Sequence, residues 1–304
     1  MNSNSPTFLP TFELLAAQNW KDYVLLDSGD GSKLEQFGPY RLVRPEPEAV
    51  WRQMLPQSEW KKADATYQPS PEENGGHWEY ARKLPERWKM AYNGLTFWVQ
   101  TSSSRHLGVF PEQSCQWDWA DKVIHSSSVQ PKVLNLFGYT GIATLAAARA
   151  GAAVTHLDAS RKVVTWANDN QKLSSLEASP IRWIIDDALK FVQREARRGS
   201  RYQGIILDPP KFGRGPKGEV WEFYKLIPNL LQACKEILDP NPLFVQLTAY
   251  AVKASAATLY YAMDEIMRDF KGVTCCGEIG LREASANRFL STAIYARWSK
   301  VKIE

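Results

Sequence analysis

The stretch VLNLFGYTGIATL (residues 133–145) decides the fold of this chain. Residues 133–137 form a mostly apolar run that predicts a short β-strand, and a segment compatible with a helix begins at Ile142. Between them, residues 138–141 hold two glycines in a tight turn. Glycine allows a ligand to approach the backbone closely, and the first turn of a helix presents free N–H groups. The stretch therefore predicts the first strand–turn–helix unit of an α/β sheet, with room for a ligand at the turn.

The same alternation of strand and helix continues to the end of the chain. Short apolar runs predict five strands, each followed by a helix-compatible segment. These strands lie at residues 133–137, 153–157, 181–185, 204–207 and 243–247. Two further apolar runs, 273–279 and 290–295, are too close together for a crossover helix, so the last two strands should be antiparallel. The sequence thus predicts an α/β fold with a sheet of seven strands and an antiparallel last pair.

The residues before this sheet are expected to form a smaller unit. At 304 residues the chain is long enough for one large α/β domain and a small one. The first hundred or so residues contain short apolar runs separated by turn residues, among them Asn93-Gly94, a strong short-range hairpin signal. We therefore expect a small N-terminal β-rich domain at residues 1–112 and the α/β domain at residues 113–304.

The composition is that of an ordinary globular protein. The formal net charge of +4 and the pI near 8.7 permit a nucleic-acid partner without requiring one. No run approaches the roughly 18 apolar residues of a membrane span, and the N-terminus lacks the regions typical of a signal peptide. A cytoplasmic protein without a membrane partner is therefore expected. No metal is expected either, because no metal-ligand spacing occurs among the cysteines, Cys115, Cys234, Cys275 and Cys276.

Acidic residues recur at the ends of the predicted strands. Asp158 follows the second strand, roughly 20 residues after the glycine turn, where an acid can hydrogen-bond the hydroxyls of a ribose. Asp186 and Asp187 follow the third strand, and either could accept a hydrogen bond from the exocyclic amine of an adenine. The glycine turn lacks both the G-x-G-x-x-G pattern and a P-loop lysine, which disfavours a dinucleotide or a nucleotide phosphate.

A second stretch, GIILDPPKFGRGPKG (residues 204–218), ends the fourth strand. Proline has no N–H to donate to a sheet and restricts the residue before it, so the strand must stop in a rigid turn at Asp208-Pro209-Pro210. In an open α/β sheet, ligands bind at the carboxyl ends of the strands. Asp208 is therefore expected beside the same ligand as the glycine turn.

The order of these features resembles that of a known class of enzymes. A glycine-containing turn, acids after the second and third strands, and Asp-Pro-Pro after the fourth are similar to the class I S-adenosylmethionine-dependent methyltransferases, which have a Rossmann-like sheet. More narrowly, NLFGYTG, DDALKFV and LDPPKFGRG resemble the DPPKF-type large-subunit ribosomal RNA methyltransferases. The resemblance extends from about Phe110 to the C-terminus, and the hairpin before it resembles the substrate-side domain of that family. It implies S-adenosylmethionine as the cofactor and ribosomal RNA as the partner.

The resemblance also implies roles for individual residues. Those implied in cofactor binding are Asn135, Phe137, Gly138, Tyr139, Thr140, Gly141, Asp158, Ala159, Asp187, Ala188 and Asp208, with Asp186 as an alternative to Asp187. Those implied in catalysis on the target side are Asp208, Pro209, Pro210 and Phe212. Three residues would reach over the cofactor, namely Phe110, Glu112 and Gln113. Basic residues that favour an anionic polymer are Arg105, Lys211, Arg214 and Lys217.

The expected target atom is a nitrogen of a base rather than carbon 5 of cytosine. Family members that make 5-methylcytosine use a cysteine just after the fifth strand, since carbon 5 is too weakly nucleophilic without a covalent adduct. In this chain residues 246–250 have the sequence QLTAY and contain no cysteine. For an amine, the Asp208 carboxylate and the Pro209 carbonyl would accept N–H groups while Phe212 stacks on a base. A methyltransferase for a small molecule or a protein is the alternative.

Overall fold

The structure is a computed structural model that describes residues 10–70 and 75–302. The strands, numbered in chain order, are β1 (Phe12–Ala16), β2 (Tyr23–Gly29), β3 (Ser32–Phe37), β4 (Tyr40–Pro45), β5 (Ala65–Pro69), β6 (Gly76–Tyr80), β7 (Trp88–Tyr92), β8 (Leu95–Val99), β9 (Lys132–Leu136), β10 (Ala153–Asp158), β11 (Ile181–Ile185), β12 (Gly204–Leu207), β13 (Phe212–Arg214), β14 (Val220–Glu222), β15 (Phe244–Ala249), β16 (Val273–Arg282) and β17 (Phe289–Ser299). The helices are α1 (Gln57–Trp60), α2 (Ser114–His125), α3 (Ile142–Arg149), α4 (Arg161–Leu173), α5 (Ala188–Arg197), α6 (Phe223–Ile237) and α7 (Ala256–Met267), and a 3-10 helix spans Pro111–Gln113.

The largest sheet in the described residues has eight strands in the order β1-β16-β17-β15-β12-β9-β10-β11. The strands from β15 to β11 are parallel, and β17 is antiparallel to both β15 and β16. This arrangement confirms the predicted Rossmann-like α/β sheet of seven strands with an antiparallel last pair. An eighth strand, β1, lies parallel to β16 at the edge. The sequence did not predict β1, because FELLA is short and its partner strand lies near the other end of the chain.

Both faces of the large sheet are covered by helices. Leu134 and Leu136 of β9 lie in one buried cluster with Phe191 of α5. Val133, also in β9, lies in a second cluster with Trp119 of α2. Parallel sheets are typically buried on both faces, which explains why these strands appear in the sequence as apolar runs rather than as alternating patterns. Polar groups are therefore concentrated where the strands end.

The N-terminal strands form two smaller sheets. Strands β2 to β6 make a five-stranded sheet in chain order, and β7 pairs with β8. The predicted hairpin is confirmed, and both turn residues have positive φ, 44° at Asn93 and 78° at Gly94, as a type I′ turn requires.

No helix in residues 10–70 and 75–302 is long and apolar enough to cross a membrane.

The N-terminal sheets and the large sheet share a hydrophobic core. Phe37 of β3 and Phe97 of β8 belong to the same buried cluster as Leu145 of α3. In addition, the side-chain oxygen of Asn170 in α4 accepts a hydrogen bond from the backbone N–H of Trp98 in β8 at 2.8 Å. The β7–β8 hairpin is thereby held against α4, next to the carboxyl ends of the central strands.

Candidate active site

The glycine turn between β9 and α3 holds three residues in the left-handed region of the backbone. Phe137, Tyr139 and Gly141 have φ values of 58°, 49° and 84°. For the two residues with side chains, this conformation costs about 1–2 kcal/mol each, so the surrounding structure must enforce it. The Gly138 N–H donates to the Leu157 carbonyl of β10 at 2.9 Å and fastens the turn to the next strand. Local strain of this kind is typical of ligand-binding sites.

A buried histidine behind the turn explains why residue 138 is glycine. An added Cβ on Gly138 would lie only 2.4 Å from Cε1 of His156. Nδ1 of His156 lies 2.8 Å from Oγ1 of Thr144, which also accepts a hydrogen bond from the side-chain N–H of Asn135 at 2.8 Å. Burial lowers the pKa of His156 to about 3, so its ring is neutral at physiological pH. These side chains form a fixed support beneath the turn.

Asp158, at the end of β10, closes the turn from the other side. Its carboxylate accepts hydrogen bonds from the backbone N–H of Tyr139 at 3.0 Å and of Ser160 at 2.9 Å. Burial raises its pKa, although these backbone N–H groups act in the opposite direction. A carboxylate has lone pairs for further hydrogen bonds, so Asp158 can hold the turn and still accept from hydroxyl groups of a ligand.

The two acids after β11 have different partners. Asp187 is the N-cap of α5, and its carboxylate accepts from the Lys190 backbone N–H at 2.9 Å. Asp186 accepts from the Asp187 backbone N–H at 2.9 Å and forms an ion pair with Arg194. Asp187 therefore fixes the start of α5 without a cation on its carboxylate, whereas Asp186 is neutralised by an arginine.

Asp208, directly after β12, has a carboxyl whose pKa is strongly raised. The side-chain N–H of Gln113 donates to its carboxyl at 3.1 Å. Burial, and after it the nearby Glu112 carboxyl, raise the pKa of Asp208 to about 8. A carboxyl of this kind exchanges its proton near neutral pH, which is a property of groups that take part in proton transfer.

The Asp-Pro-Pro turn is fixed by an aromatic side chain of β14. The indole N–H of Trp221 donates to the Pro210 carbonyl at 2.6 Å, and its ring packs against Phe137 with the ring centroids 5.0 Å apart. Trp221 thus connects the turn after β12 to the glycine turn. Phe212 lies in β13 and is 56% exposed, so it is a surface residue rather than part of the buried site. Pro209 is buried and Pro210 is exposed.

One cavity brings the ends of β9 and β12 together. The predicted residues that line it are Asn135, Phe137, Gly138, Tyr139, Thr140 and Asp208, together with Phe110 and Gln113. Asp158 does not line it but is connected to it through Tyr139. The other predicted residues lie outside the lining: Glu112, Gly141, Ala159, Asp186, Asp187, Ala188, Pro209, Pro210 and Phe212.

The lining residues that were not predicted from the sequence are Gly108, Val109, Trp117, Ile142, Ala143, Ile206 and Gln246. Gln246 of β15 is in register with Ile206, which is in register with Asn135. Its side-chain oxygen is buried and has no hydrogen-bond partner among the described residues. The unpaired Gln246 oxygen and the Asp208 carboxyl, which accepts from Gln113, give the cavity acceptors that fit a ligand with N–H donors or positive charge. No group of three or more His, Cys, Asp or Glu in the described ranges is placed to hold a metal.

The chain belongs to the S-adenosylmethionine-dependent methyltransferases, because residues 64–249 match the model of that family. It is similar over nearly its whole length to the S-adenosylmethionine-dependent methyltransferase from Agrobacterium tumefaciens. That crystal structure shares 46% sequence identity with this chain, with a TM-score of 0.91, and the match covers 95% of this chain and 93% of the other. S-adenosylmethionine is therefore the cofactor of this enzyme, and its ammonium and sulfonium groups suit a cavity with unpaired acceptors.

The chain is also similar to curated proteins, over shorter stretches. The protein named ribosomal RNA large subunit methyltransferase K/L of Hahella chejuensis is 33% identical over 155 residues, which are 50% of this chain and 20% of the relative. Ribosomal RNA large subunit methyltransferase K of Neisseria meningitidis serogroup B is 26% identical over 196 residues, 62% of this chain and 54% of the relative. The matched part thus spans about half or less of the length of these relatives.

Proposed function

We propose that this methyltransferase modifies a base of large-subunit ribosomal RNA and that the methyl group is transferred to a nitrogen. The observation that carries the proposal is the partly buried Asp208 carboxyl, which lies in the same cavity as the glycine turn and has a pKa of about 8. A nitrogen acceptor needs such a group, because its N–H bonds must be oriented and one proton must leave. The relatives named above, which carry the name of ribosomal RNA methyltransferases, support the choice of RNA.

The cofactor would be held by the residues around the glycine turn and by the acids beyond it. When bound, S-adenosylmethionine supplies an electrophilic methyl group on sulfur. In this proposal Asp158 holds the ribose and Asp187 receives the adenine amine, since the Asp186 carboxylate is already paired with Arg194. Gln246 offers its unpaired oxygen to an N–H donor. The remaining residues of this proposed set are Asn135, Phe137, Gly138, Tyr139, Thr140, Gly141, Ala159, Ala188 and Asp208.

The target-side residues would orient the acceptor nitrogen. The Asp208 carboxylate and the Pro209 carbonyl accept its N–H groups, so that the lone pair points to the methyl carbon. The bound cofactor would supply the methyl group, and the acceptor nitrogen would lose a proton that the Asp208 carboxylate could accept. Trp221 keeps Pro210 in place through its indole N–H. The exposed Phe212 ring is available to stack on a base.

The cysteines support a nitrogen target because none of the four lines the cavity. Cys115 packs near the cavity but burial raises the pKa of its thiol to about 12, so the thiol is neutral at physiological pH. Cys234 is fully buried in the core, and Cys275 and Cys276 lie in β16. Direct transfer to carbon 5 of cytosine would need a thiolate, and none of these side chains is placed to provide one.

RNA is further favoured by exposed basic residues on both sides of the site. Lys211, Arg214 and Lys217 lie on or beside the β13–β14 hairpin, and Arg105 lies beside the N-terminal sheet. None of them forms an ion pair with another described residue. Exposed cations of this kind attract the phosphates of a nucleic acid. A ribosomal RNA substrate would place the protein in the cytoplasm, with the residues before 113 forming the substrate-side domain.

The test is to incubate the protein with isotopically labelled S-adenosylmethionine and ribosomal RNA from cells that lack it, and to identify the labelled nucleoside by mass spectrometry. We expect one N-methylated nucleoside, which disappears with Asp208→Asn. Labelled 5-methylcytidine would contradict the nitrogen target. Labelling of ribosomal protein or of small metabolites alone would contradict the RNA substrate.

A further inference from the structure

A second cavity lies next to the cofactor-side cavity, between the N-terminal five-stranded sheet and the end of β15. Both cavities are lined by Val109 and Phe110. Within the 3-10 helix, the neighbouring residues Glu112 and Gln113 face different cavities, since Glu112 lines the second and Gln113 the first. The second cavity is therefore positioned to hold a group directly beside the one that binds at the glycine turn.

Three acids line this second cavity, Glu46, Glu48 and Glu112, and the most deeply buried of them, Glu112, has no cation of its own in the described residues. Glu112 is 5% exposed, and no ion pair to it occurs within residues 10–70 and 75–302. The two cations of the N-terminal sheet that line this cavity form ion pairs with other carboxylates. Arg44 binds Glu35 at 2.6 Å, and Lys33 lies 3.0 Å from Glu46. Burial raises the pKa of Glu112. The Glu112 carboxyl can accept a hydrogen bond from an N–H group at the edge of a nucleobase.

Tyr250 also lines the second cavity. Its hydroxyl is buried close to the Glu112 and Gln113 side chains, but no residue that the structure describes meets it with hydrogen-bonding geometry. Because an unpaired buried hydroxyl is costly, it points to a ligand that supplies the missing partner. The Tyr250 ring lies beside Phe110, with the ring centroids 5.3 Å apart. At the same cavity, the exposed Arg105 side chain has no carboxylate partner in the described ranges, which leaves it free for a phosphate.

We propose that this second cavity is the binding site of the acceptor nucleotide. The base contacts Phe110 and exchanges hydrogen bonds with Glu112 and the Tyr250 hydroxyl, while Arg105 binds a flanking phosphate. This inference rests on the proposed function, since it takes the acceptor to be a nucleotide, and it assigns the recognition of that nucleotide to Phe110, which lines both cavities, and to three residues that line only the second. Gln113, the neighbour of Glu112 in the 3-10 helix, donates to the Asp208 carboxyl and so connects the second cavity to the acid on the target side.

The test compares Tyr250→Phe, Glu112→Gln and Arg105→Gln with the wild type in three measurements. These are the affinity for S-adenosylhomocysteine by calorimetry, kcat and KM with ribosomal RNA from cells lacking the protein, and the melting temperature. For Tyr250→Phe we expect KM for RNA to rise about tenfold, with S-adenosylhomocysteine affinity and melting temperature unchanged, because no side chain within residues 10–70 and 75–302 forms a well-aligned hydrogen bond with the hydroxyl. Arg105→Gln should raise KM and make it less sensitive to salt. Tyr202→Phe, which removes a buried hydroxyl bonded to Glu195 before β12, is the matched control and should leave KM unchanged.

Two results would overturn the proposal. The first is unchanged kinetics in both Tyr250→Phe and Glu112→Gln. The second is weaker binding of S-adenosylhomocysteine without a change in KM for RNA, which would assign these residues to the cofactor site. If Glu112→Gln does not fold, the kinetics of Tyr250→Phe and Arg105→Gln test the proposal instead. Both variants should fold, because Tyr250→Phe adds no atoms and Arg105 lies on the surface. A wild-type enzyme that labels no RNA would instead contradict the proposed function itself, and this inference with it.

Discussion

Two aspartates at the same edge of the large sheet differ in what surrounds their carboxyls. Asp158 accepts hydrogen bonds from two backbone N–H groups, whereas Asp208 accepts one from the Gln113 side chain and lies near a second acid. Burial raises the pKa of both, and at Asp208 the pKa reaches about 8. The first arrangement suits a fixed acceptor for hydroxyl groups, and the second suits a group that exchanges a proton beside a reacting atom.

Replacing Asp158 with alanine should weaken the binding of S-adenosylhomocysteine by about ten- to a hundredfold, because a hydrogen bond to a charged group contributes about 1.5–3 kcal/mol. Isothermal titration calorimetry measures the change. Asp269→Ala is the control, since it removes an exposed carboxylate that pairs with Lys235. Equal affinities of Asp158→Ala and the wild type would exclude Asp158 from the cofactor site.

The free energy of unfolding of the wild type should fall with rising pH more steeply than that of Asp208→Asn. The pKa of Asp208 is about 8 in the folded chain and about 4 in an unfolded chain. Between these values the folded chain binds the additional proton, so stability is lost as pH rises through this window and levels off above about pH 8. Urea denaturation of both proteins across the window measures the difference. Parallel pH profiles would mean that Asp208 is already ionised in the folded protein.

Sequence reasoning located the residues that directly follow a strand and missed those that join the site through sheet register. Asp158 and Asp208 could be predicted, because the end of an apolar run marks where each one lies. Gln246 could not, since it reaches the cavity only through the register of β15 with β12 and of β12 with β9. The Tyr250 hydroxyl is buried without a well-aligned hydrogen-bond partner among the residues that the structure describes, and no sequence pattern reveals that.

At the scale of elements, the glycine turn depends on the space behind it. Gly138→Ala would place a Cβ 2.4 Å from His156, which is fixed between Thr144 and Trp183. We expect a loss of stability of about 1–3 kcal/mol, as for other overpacked sites, and a large loss of affinity for S-adenosylhomocysteine because the turn must shift. Thermal denaturation and calorimetry measure the two effects.

The variant Gly199→Ala is the control for Gly138→Ala, because it measures the free-energy cost of the left-handed backbone conformation without a steric clash. Gly199 has a φ of +69° and no atom within 4 Å of an added Cβ, so alanine there meets only the conformational cost of about 1–2 kcal/mol. It should destabilise the protein without changing cofactor affinity. If Gly138→Ala behaved in the same way, the contact with His156 would have no role in shaping the site.

The elements themselves were predicted where the local pattern was strong. The Asn93-Gly94 hairpin and the central strands follow from turn chemistry and apolar runs. Strands β13 and β14 were not predicted, because each has three residues and they enclose Gly215 and Gly218 in a segment rich in turn residues. Their position depends on contacts made after folding, such as the Trp221 hydrogen bond to Pro210.

At the scale of the whole molecule, many contacts cross the predicted division between residues 112 and 113. Strand β1 lies in the large sheet, and residues of both parts share one hydrophobic cluster. The division into two domains stays a prediction, but these contacts make it difficult for residues 113–304 to fold without the preceding residues. We therefore expect a single cooperative unfolding transition for the full chain, with equal calorimetric and van't Hoff enthalpies.

The last prediction concerns the ionic contact that joins the N-terminal sheet to the end of the large sheet. Arg288 donates to Glu283 at 2.6 Å and to the Ser28 carbonyl at 3.0 Å, and it lies 3.5 Å from the Asp27 carboxylate. Asp27 and Glu283 are almost completely buried, so Arg288→Met would leave two buried acids without their cation. The expected loss in the free energy of unfolding is about 3–5 kcal/mol, whereas Arg268→Met on the surface should change it by less than about 0.5 kcal/mol. Calorimetry of Arg288→Met should still show one transition at a lower temperature, because both parts share a core. Two separate transitions would mean that the N-terminal sheet and the large sheet fold independently.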